Sequence, residues 1–191
     1  SIDRFGDFSS SQWGLGQGAR IDVQGRVGFP HSLGIFYQAL TQFLGFPNYG
    51  DEYKLMGLVA YGEPRYEAEL RRLIAPRGDG GFRLDLSYFL HQGGGVPMTW
   101  DGGEPRVGRL WSPALEQLLG SARQPGEPLE QRHRDLAASV QQVYERLFYG
   151  LLEHLARSTG ETRLCLAGGC AMNSLANGRI AERTPFREVW I

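Results

Sequence analysis

Apolar residues recur along the chain with more than one period, and the period sets the expected element. From about 128 to 159, Leu136, Val140, Val143, Leu147, Leu151 and Leu155 follow one another at spacings of three and four. That pattern predicts a long helix with one buried stripe, ended by Gly160. Leu33, Phe36, Tyr37, Leu40 and Leu44 carry the same spacing after Pro30-His31-Ser32. Here Ser32 is the expected N-cap, and Gly45 and Pro47 close the helix. Residues 51–61 predict a short helix with charge at its front. A further helix is expected from Pro64 through Leu70, Leu73 and Ile74, closed by Pro76.

Elsewhere the period drops to two. Residues 1–18, with Gly6, Gly14, Gly16 and Gly18, read as a strand, a turn and a second short strand. Ile21 and Val23 alternate with Arg20, Asp22 and Gln24, as a half-buried strand would. Phe82, Leu84 and Leu86 alternate in the same way. Residues 91–109, rich in Gly, Pro and polar side chains, read as a long loop. The tail predicts a buried strand over 163–167, a Gly168-Gly169 turn, a helix over 170–183 and a strand over 187–191. A β-turn-α-β unit beside long helices sets the fold class as α/β.

Composition narrows the function. Hydrophobic residues make up 41% of 191, enough for a core, and 20 basic against 21 acidic residues give a net charge of −1. A nucleic-acid surface would show a basic excess. No apolar run approaches the length of a membrane span, and no signal-like start is present, so a cytoplasmic protein is expected. Cys165 and Cys170 flank a glycine pair and fit neither a disulfide framework nor a zinc site. His31, His91, His133 and His154 include no pair at helical metal spacing. His31 is read as structural, and His133 and His154 as helix-surface residues. Ser1 at one end and a strand-like 188–191 at the other point to an internal fragment truncated at both ends, with no second domain within 1–191.

Three segments hold candidate chemistry. Gly168-Gly169 lets a ligand approach the backbone at the start of a helix. Asn173 and Asn177, four apart, would share a face of that helix and offer amides to a base or ribose. The same pattern suits a tight strand-helix turn with surface amides. At the start, Asp3 precedes a turn containing Gly6, Asp7, Ser9 and Ser10, where a carboxylate can ligate a cation and turn amides can hold phosphate. On these residues alone, an Asp-capped hairpin turn is the preferred reading. Glu52 and Lys54, two apart, do not share a helix face, so one can point to a cleft.

Taken together, Phe29-Pro30-His31-Ser32-Leu33-Gly34, Asp51-Glu52-Tyr53-Lys54-Leu55-Met56-Gly57-Leu58 with Ala60-Tyr61-Gly62, and Leu164-Cys165-Leu166-Ala167-Gly168-Gly169-Cys170-Ala171-Met172-Asn173 with Ala176-Asn177-Gly178-Arg179 resemble the amino-terminal domain of the O-carbamoyltransferases that modify antibiotics and nodulation factors. The Asp3 to Asp7 stretch resembles that family's Asp-Gly-x-Gly-acid turn, with Arg4 where Gly is usual. The resemblance implies part of an actin-like ATPase (ribonuclease H-like) domain, related to the tRNA threonylcarbamoyl transferases. It implies ATP and carbamoyl phosphate as substrates, and a second domain that forms carbamoyl adenylate. This domain would then transfer the carbamoyl group to a hydroxyl of a small-molecule acceptor. It implies a divalent metal, iron by family analogy, held by a His-x-x-x-His pair, the opening Asp and a further Asp, of which only Asp3 has a counterpart here. Gly6, Gly168, Gly169, Asn173 and Asn177 would contact nucleotide, and Glu52 and Lys54 would line the catalytic cleft.

Two other readings stay open. One is a sugar- or acetate-kinase-like phosphotransferase with Asp7 or Glu52 as base. The other is a non-catalytic nucleotide-binding fragment.

Overall fold

The computed structural model describes residues 1–6, 8–93 and 95–191, so Asp7, an alternative base, lies outside the described residues. The chain runs β1 (Ile2–Gly6), β2 (Ser9–Gln17), β3 (Arg20–Gly28), α1 (Leu33–Phe43), α2 (Glu52–Leu58), α3 (Glu67–Leu70), β4 (Ile74–Pro76) and β5 (Phe82–Leu84). It continues with β6 (Met98–Asp101), β7 (Glu104–Val107), α4 (Pro113–Leu119), α5 (Gln131–Thr159), β8 (Arg163–Cys165), α6 (Ser174–Asn177), α7 (Ile180–Arg183) and β9 (Glu188–Trp190). The result is a mixed α/β structure with small sheets. Among the described residues no helix is long and apolar enough to cross a membrane.

The chain divides into two compact units. One comprises Ser1–Gly34, Ala75–Arg83 and Tyr144–Ile191, and the other Ile35–Ile74 and Leu84–Val143. In the first, β1, β2 and β3 form an antiparallel sheet in that order. The second strand expected within 1–18 is β2, which is nine residues long and runs straight through Gly14 and Gly16. At Gly14 the register shifts, and a Cβ there would meet the Asp22 carbonyl oxygen at 1.9 Å. This is the close backbone approach that makes a strand glycine informative. The turn itself is at Gly18, with φ of +58°. The half-buried reading of β3 fails at its start: Ile21 is 77% exposed and Val23 52%. β8 and β9 pair in parallel, with Leu164 opposite Val189, as a β-turn-α-β unit requires. Burial in this unit's tail alternates, with Leu164 and Leu166 inside and Cys165 and Ala167 outside, so the strand is one-sided rather than wholly buried. The segment between β8 and β9 is not one helix. A 3-10 turn over Gly169–Met172 is followed by α6 and α7, each a single turn.

The second unit holds α1 from Ile35 onward and α2 to α4. Phe36, Tyr37, Leu40 and Leu44 are buried as their spacing requires. The Tyr37 hydroxyl donates to Gln141 Oε1 of α5 at 2.9 Å, so the buried phenol is paired. The helix expected from Pro64 is reduced to α3, because the chain turns extended at Ile74 to form β4 against β5. Residues 91–109 are not all loop: β6 and β7 form a hairpin that places Met98 opposite Val107 and Trp100 opposite Pro105. α4, which no sequence pattern had announced, begins after Ser112 with Pro113 at its first position.

α5 bears out the long stripe, with Leu136, Val140, Val143, Leu147 and Leu151 all buried. Its histidines correct the surface reading. His133 is 5% exposed, and its Nδ1 accepts the Glu130 amide at 2.9 Å. His154 sets its ring edge-on to Trp13 at 6.4 Å.

Candidate functional site

Backbone contacts bring the two ends of the sequence together in the first unit. The Ile2 amide donates to the Ala167 carbonyl at 2.9 Å, placing β1 beside the chain that leaves β8. Gly168 has φ of +101° and ψ of 164°, a conformation that L side chains rarely adopt. A Cβ there would lie 2.2 Å from the Ile2 carbonyl oxygen. At Gly169 a Cβ would lie 3.2 Å from Asp3 Oδ1. Two glycines and one carboxylate singled out in the sequence thus meet at one place.

The opposite flank of β1 is held by the start of α1. The Ser32 hydroxyl donates to the Arg4 carbonyl at 2.7 Å. A Cβ on Gly34 would stand 2.8 Å from the Arg4 Cα. The Ser10 hydroxyl donates to the His31 carbonyl at 2.6 Å, tying the same segment to β2. The residues 29–34 therefore act as a backing for Asp3. The absence of a side chain at Gly34 was visible in the sequence; its partner was not.

Asp3 is half-buried, and its Oδ1 accepts the Arg4 amide at 2.7 Å. Among the described residues no three His, Cys, Asp or Glu side chains gather as a metal site would need. Asp3 offers one donor, and one carboxylate does not make a metal centre. Gly6 is exposed, and a Cβ on it would meet nothing within 4 Å, so no close approach requires glycine there.

The two asparagines do not share a helix face, which corrects the expectation. Asn173 sits between the 3-10 turn and α6 with φ of −72° and ψ of 94°. It is 6% exposed, and its Oδ1 accepts the Ala176 amide at 3.0 Å, an N-cap. Asn177 turns back instead, donating through Nδ2 to the Ala171 carbonyl at 2.6 Å. Its Oδ1 is buried without a hydrogen-bond partner among the described residues. The helix-dipole argument for anion binding weakens too, because the turn leads into one-turn segments rather than a long helix.

Glu52 and Lys54 belong to the second unit, at the start of α2. The Lys54 ammonium lies 2.7 Å from Asp51 Oδ1, and that hydrogen bond raises its pKa above the usual lysine value. The Asp51 side chain is buried, and its Oδ2 accepts the Asn48 amide at 3.1 Å. Lys54 also lies 5.8 Å from the centre of the Phe46 ring. It is thus a fixed cation with a built-in counter-ion. Sequence reasoning missed Asp51, although its spacing of three from Lys54 on a helix was the signal. Glu52 is half-buried in the first helical turn.

Relatives carry the full length of the chain. An uncharacterized protein of Synechocystis sp. is 38% identical over 192 residues, covering 100% of this chain and 29% of that protein. Nodulation protein NolO of Bradyrhizobium diazoefficiens is 36% identical over 194 residues, covering 100% of this chain and 31% of NolO. Nodulation protein NolNO of Sinorhizobium fredii is 32% identical over 191 residues, covering 100% of this chain and 25% of NolNO. The chain therefore spans 25% to 31% of the length of these three curated relatives. A family model described as the carbamoyltransferase N-terminus matches residues 1–191, and the chain belongs to that family.

Proposed function

We propose that this chain is the nucleotide-facing part of an O-carbamoyltransferase with an actin-like ATPase fold. In this reading the complete protein forms carbamoyl adenylate from carbamoyl phosphate and ATP in a second domain. It then passes the carbamoyl group to a hydroxyl of a small-molecule acceptor. The observation that supports it best is the close approach of Gly168 to the Ile2 backbone and of Gly169 to the Asp3 carboxylate, which brings two of the candidate segments to one place. Family membership supports the carbamoyl chemistry.

The transfer step makes a bond between the acceptor oxygen and the carbamoyl carbon and breaks the bond from that carbon to the adenylate phosphate. AMP leaves, and the hydroxyl proton passes to a base. Gly168 and Gly169 would let phosphate oxygens come against the backbone. Asp3, fixed by the Arg4 amide, would hold its carboxylate at the edge of that space. Glu52 and Lys54 are proposed as catalytic residues, with Lys54 a fixed charge held by Asp51. A divalent metal, iron in the family reading, would take Asp3 as one ligand and polarise the carbamoyl carbonyl as a Lewis acid. The His, Cys, Asp and Glu side chains among the described residues do not complete its site.

The test is product analysis on the complete protein. With ATP, carbamoyl phosphate and a panel of hydroxylated acceptors, the products should be AMP and a carbamate ester. ADP with a phosphorylated acceptor, and no need for carbamoyl phosphate, would establish the phosphotransferase alternative instead.

A further inference from the structure

The turn after β8 is braced from outside itself. Tyr144 and Tyr149 of α5 are both buried, and each directs its hydroxyl at the segment that follows Gly168-Gly169. The Tyr144 hydroxyl donates to the Cys170 carbonyl at 2.7 Å. The Tyr149 hydroxyl donates to the Ala176 carbonyl at 2.8 Å. The Tyr144 ring is stacked on Phe148, with centres 5.8 Å apart and planes 16° apart. The phenol has little room to swing.

The two hydroxyls hold different things. Cys170 lies within the 3-10 turn, and its carbonyl also accepts the Asn173 amide at 3.2 Å. The Ala171 amide in turn donates to the Gly168 carbonyl at 3.0 Å. The Cys170 carbonyl and the Ala171 amide belong to one peptide plane, so fixing that carbonyl fixes the plane that is hydrogen-bonded to the Gly168 carbonyl. Ala176 lies further on, in α6, where Asn173 already caps its amide.

We propose that Tyr144 is a positioning residue for nucleotide. Through the Cys170 carbonyl it holds Gly168 and Gly169 in the shape that admits the ligand, while Tyr149 secures α6 without setting that shape. The inference rests on the reading that Gly168 and Gly169 face nucleotide.

The experiment titrates ATP calorimetrically into the complete protein and into its Tyr144→Phe, Tyr149→Phe and Gly169→Val variants, with thermal unfolding of each measured without ligand. Each Phe variant loses one buried neutral hydrogen bond, so both should unfold at similarly lowered temperatures. Because the second domain takes ATP as well, the site read out is the one that Gly169→Val abolishes; at that site Tyr144→Phe should weaken ATP binding about three- to tenfold, and Tyr149→Phe less than about twofold. Unchanged affinity in Tyr144→Phe, with ATP binding lost in Gly169→Val, overturns the role of Tyr144 and leaves the nucleotide reading standing. ATP binding that is absent from the parent protein, or indifferent to Gly169→Val, overturns the nucleotide reading and this inference with it.

Discussion

The segment around Gly168 and the segment around Lys54 were both singled out as chemistry-bearing, yet they are built by opposite means. The first is assembled from the two ends of the sequence. Its contacts are backbone to backbone at near-contact distance, so it depends on what is missing from Gly168, Gly169 and Gly34. The second is local. Asp51 and Lys54 pair across one helical turn, and Asn48 satisfies the remaining carboxylate oxygen. A long-range site tolerates no added volume, whereas a local pair leaves its surroundings free to vary.

Alanine at a glycine tests this contrast most strongly. Gly168→Ala forces a side chain into a glycine-only conformation and onto the Ile2 carbonyl, and should cost about 3 kcal/mol or more. Gly57→Ala, on the exposed face of α2 with nothing within 4 Å, should stabilise by about 0.5–1 kcal/mol. Urea unfolding of both variants decides it. A Gly168→Ala protein within about 1 kcal/mol of the parent would remove the steric basis of the comparison.

A finer test separates the asparagines. Asn173→Ala removes an N-cap and should cost about 1 kcal/mol, while Asn173→Asp should recover most of it. Asn177→Ala loses one bond to the Ala171 carbonyl but also deletes a buried acceptor that has no partner among the described residues, so its net cost should be smaller. Equal losses would mean that the unpaired oxygen is not a penalty in the native protein.

The smallest effect concerns pH and the start of α5 in the second unit. Burial, then the charges of Arg132 and Arg123, hold the His133 pKa below the usual histidine value, against opposing pulls from Glu130 and Glu127. The unfolded chain therefore takes up this proton first as the pH falls. The His133 contribution is fully present above about pH 6.5 and is lost progressively below it, down to the lower folded pKa. Protonation would also end acceptance of the Glu130 amide. Denaturation midpoints at pH 7.5 and 5.5 should differ more in the parent than in His133→Gln. The same difference in both would clear His133 of the effect.

The sequence displayed its periodic parts and hid its long-range ones. α5 was legible because its stripe repeats over many turns, and the parallel pairing of β8 with β9 follows from strand-turn-helix-strand order. The hairpin of β6 and β7 was masked by its Gly and Pro content. Its signal was nonetheless present: Met98 and Trp100 alternate with polar residues, and Asp101-Gly102-Gly103-Glu104 is a hairpin turn, with φ of +66° and +87° at the glycines. Leu70, Leu73 and Ile74 misled because a spacing of three and four is also met where a one-turn helix runs into a strand. For Ile21 and Val23, alternation reports two faces but not which one is covered. Within the site, the glycines were identifiable, but no local pattern encodes that Gly169 faces Asp3. Only resemblance joined those segments before the structure did. The cap at Asn173 was obscured because the expected helix ran straight through it.

The exposed start of β3 bears on how the protein behaves at high concentration. Within its sheet β3 pairs with β2 alone, so its other side presents a row of backbone donors and acceptors next to Ile21 and Val23. Such an edge is a template for association between molecules. Here Arg20, Asp22 and Arg26 interrupt the apolar positions, and the register shift near Gly14 bends the ribbon. The charges on this strand are thus a solubility device: replacing Arg20, Asp22 and Arg26 together by neutral residues would leave a nine-residue edge with no charge and a lower barrier to self-association.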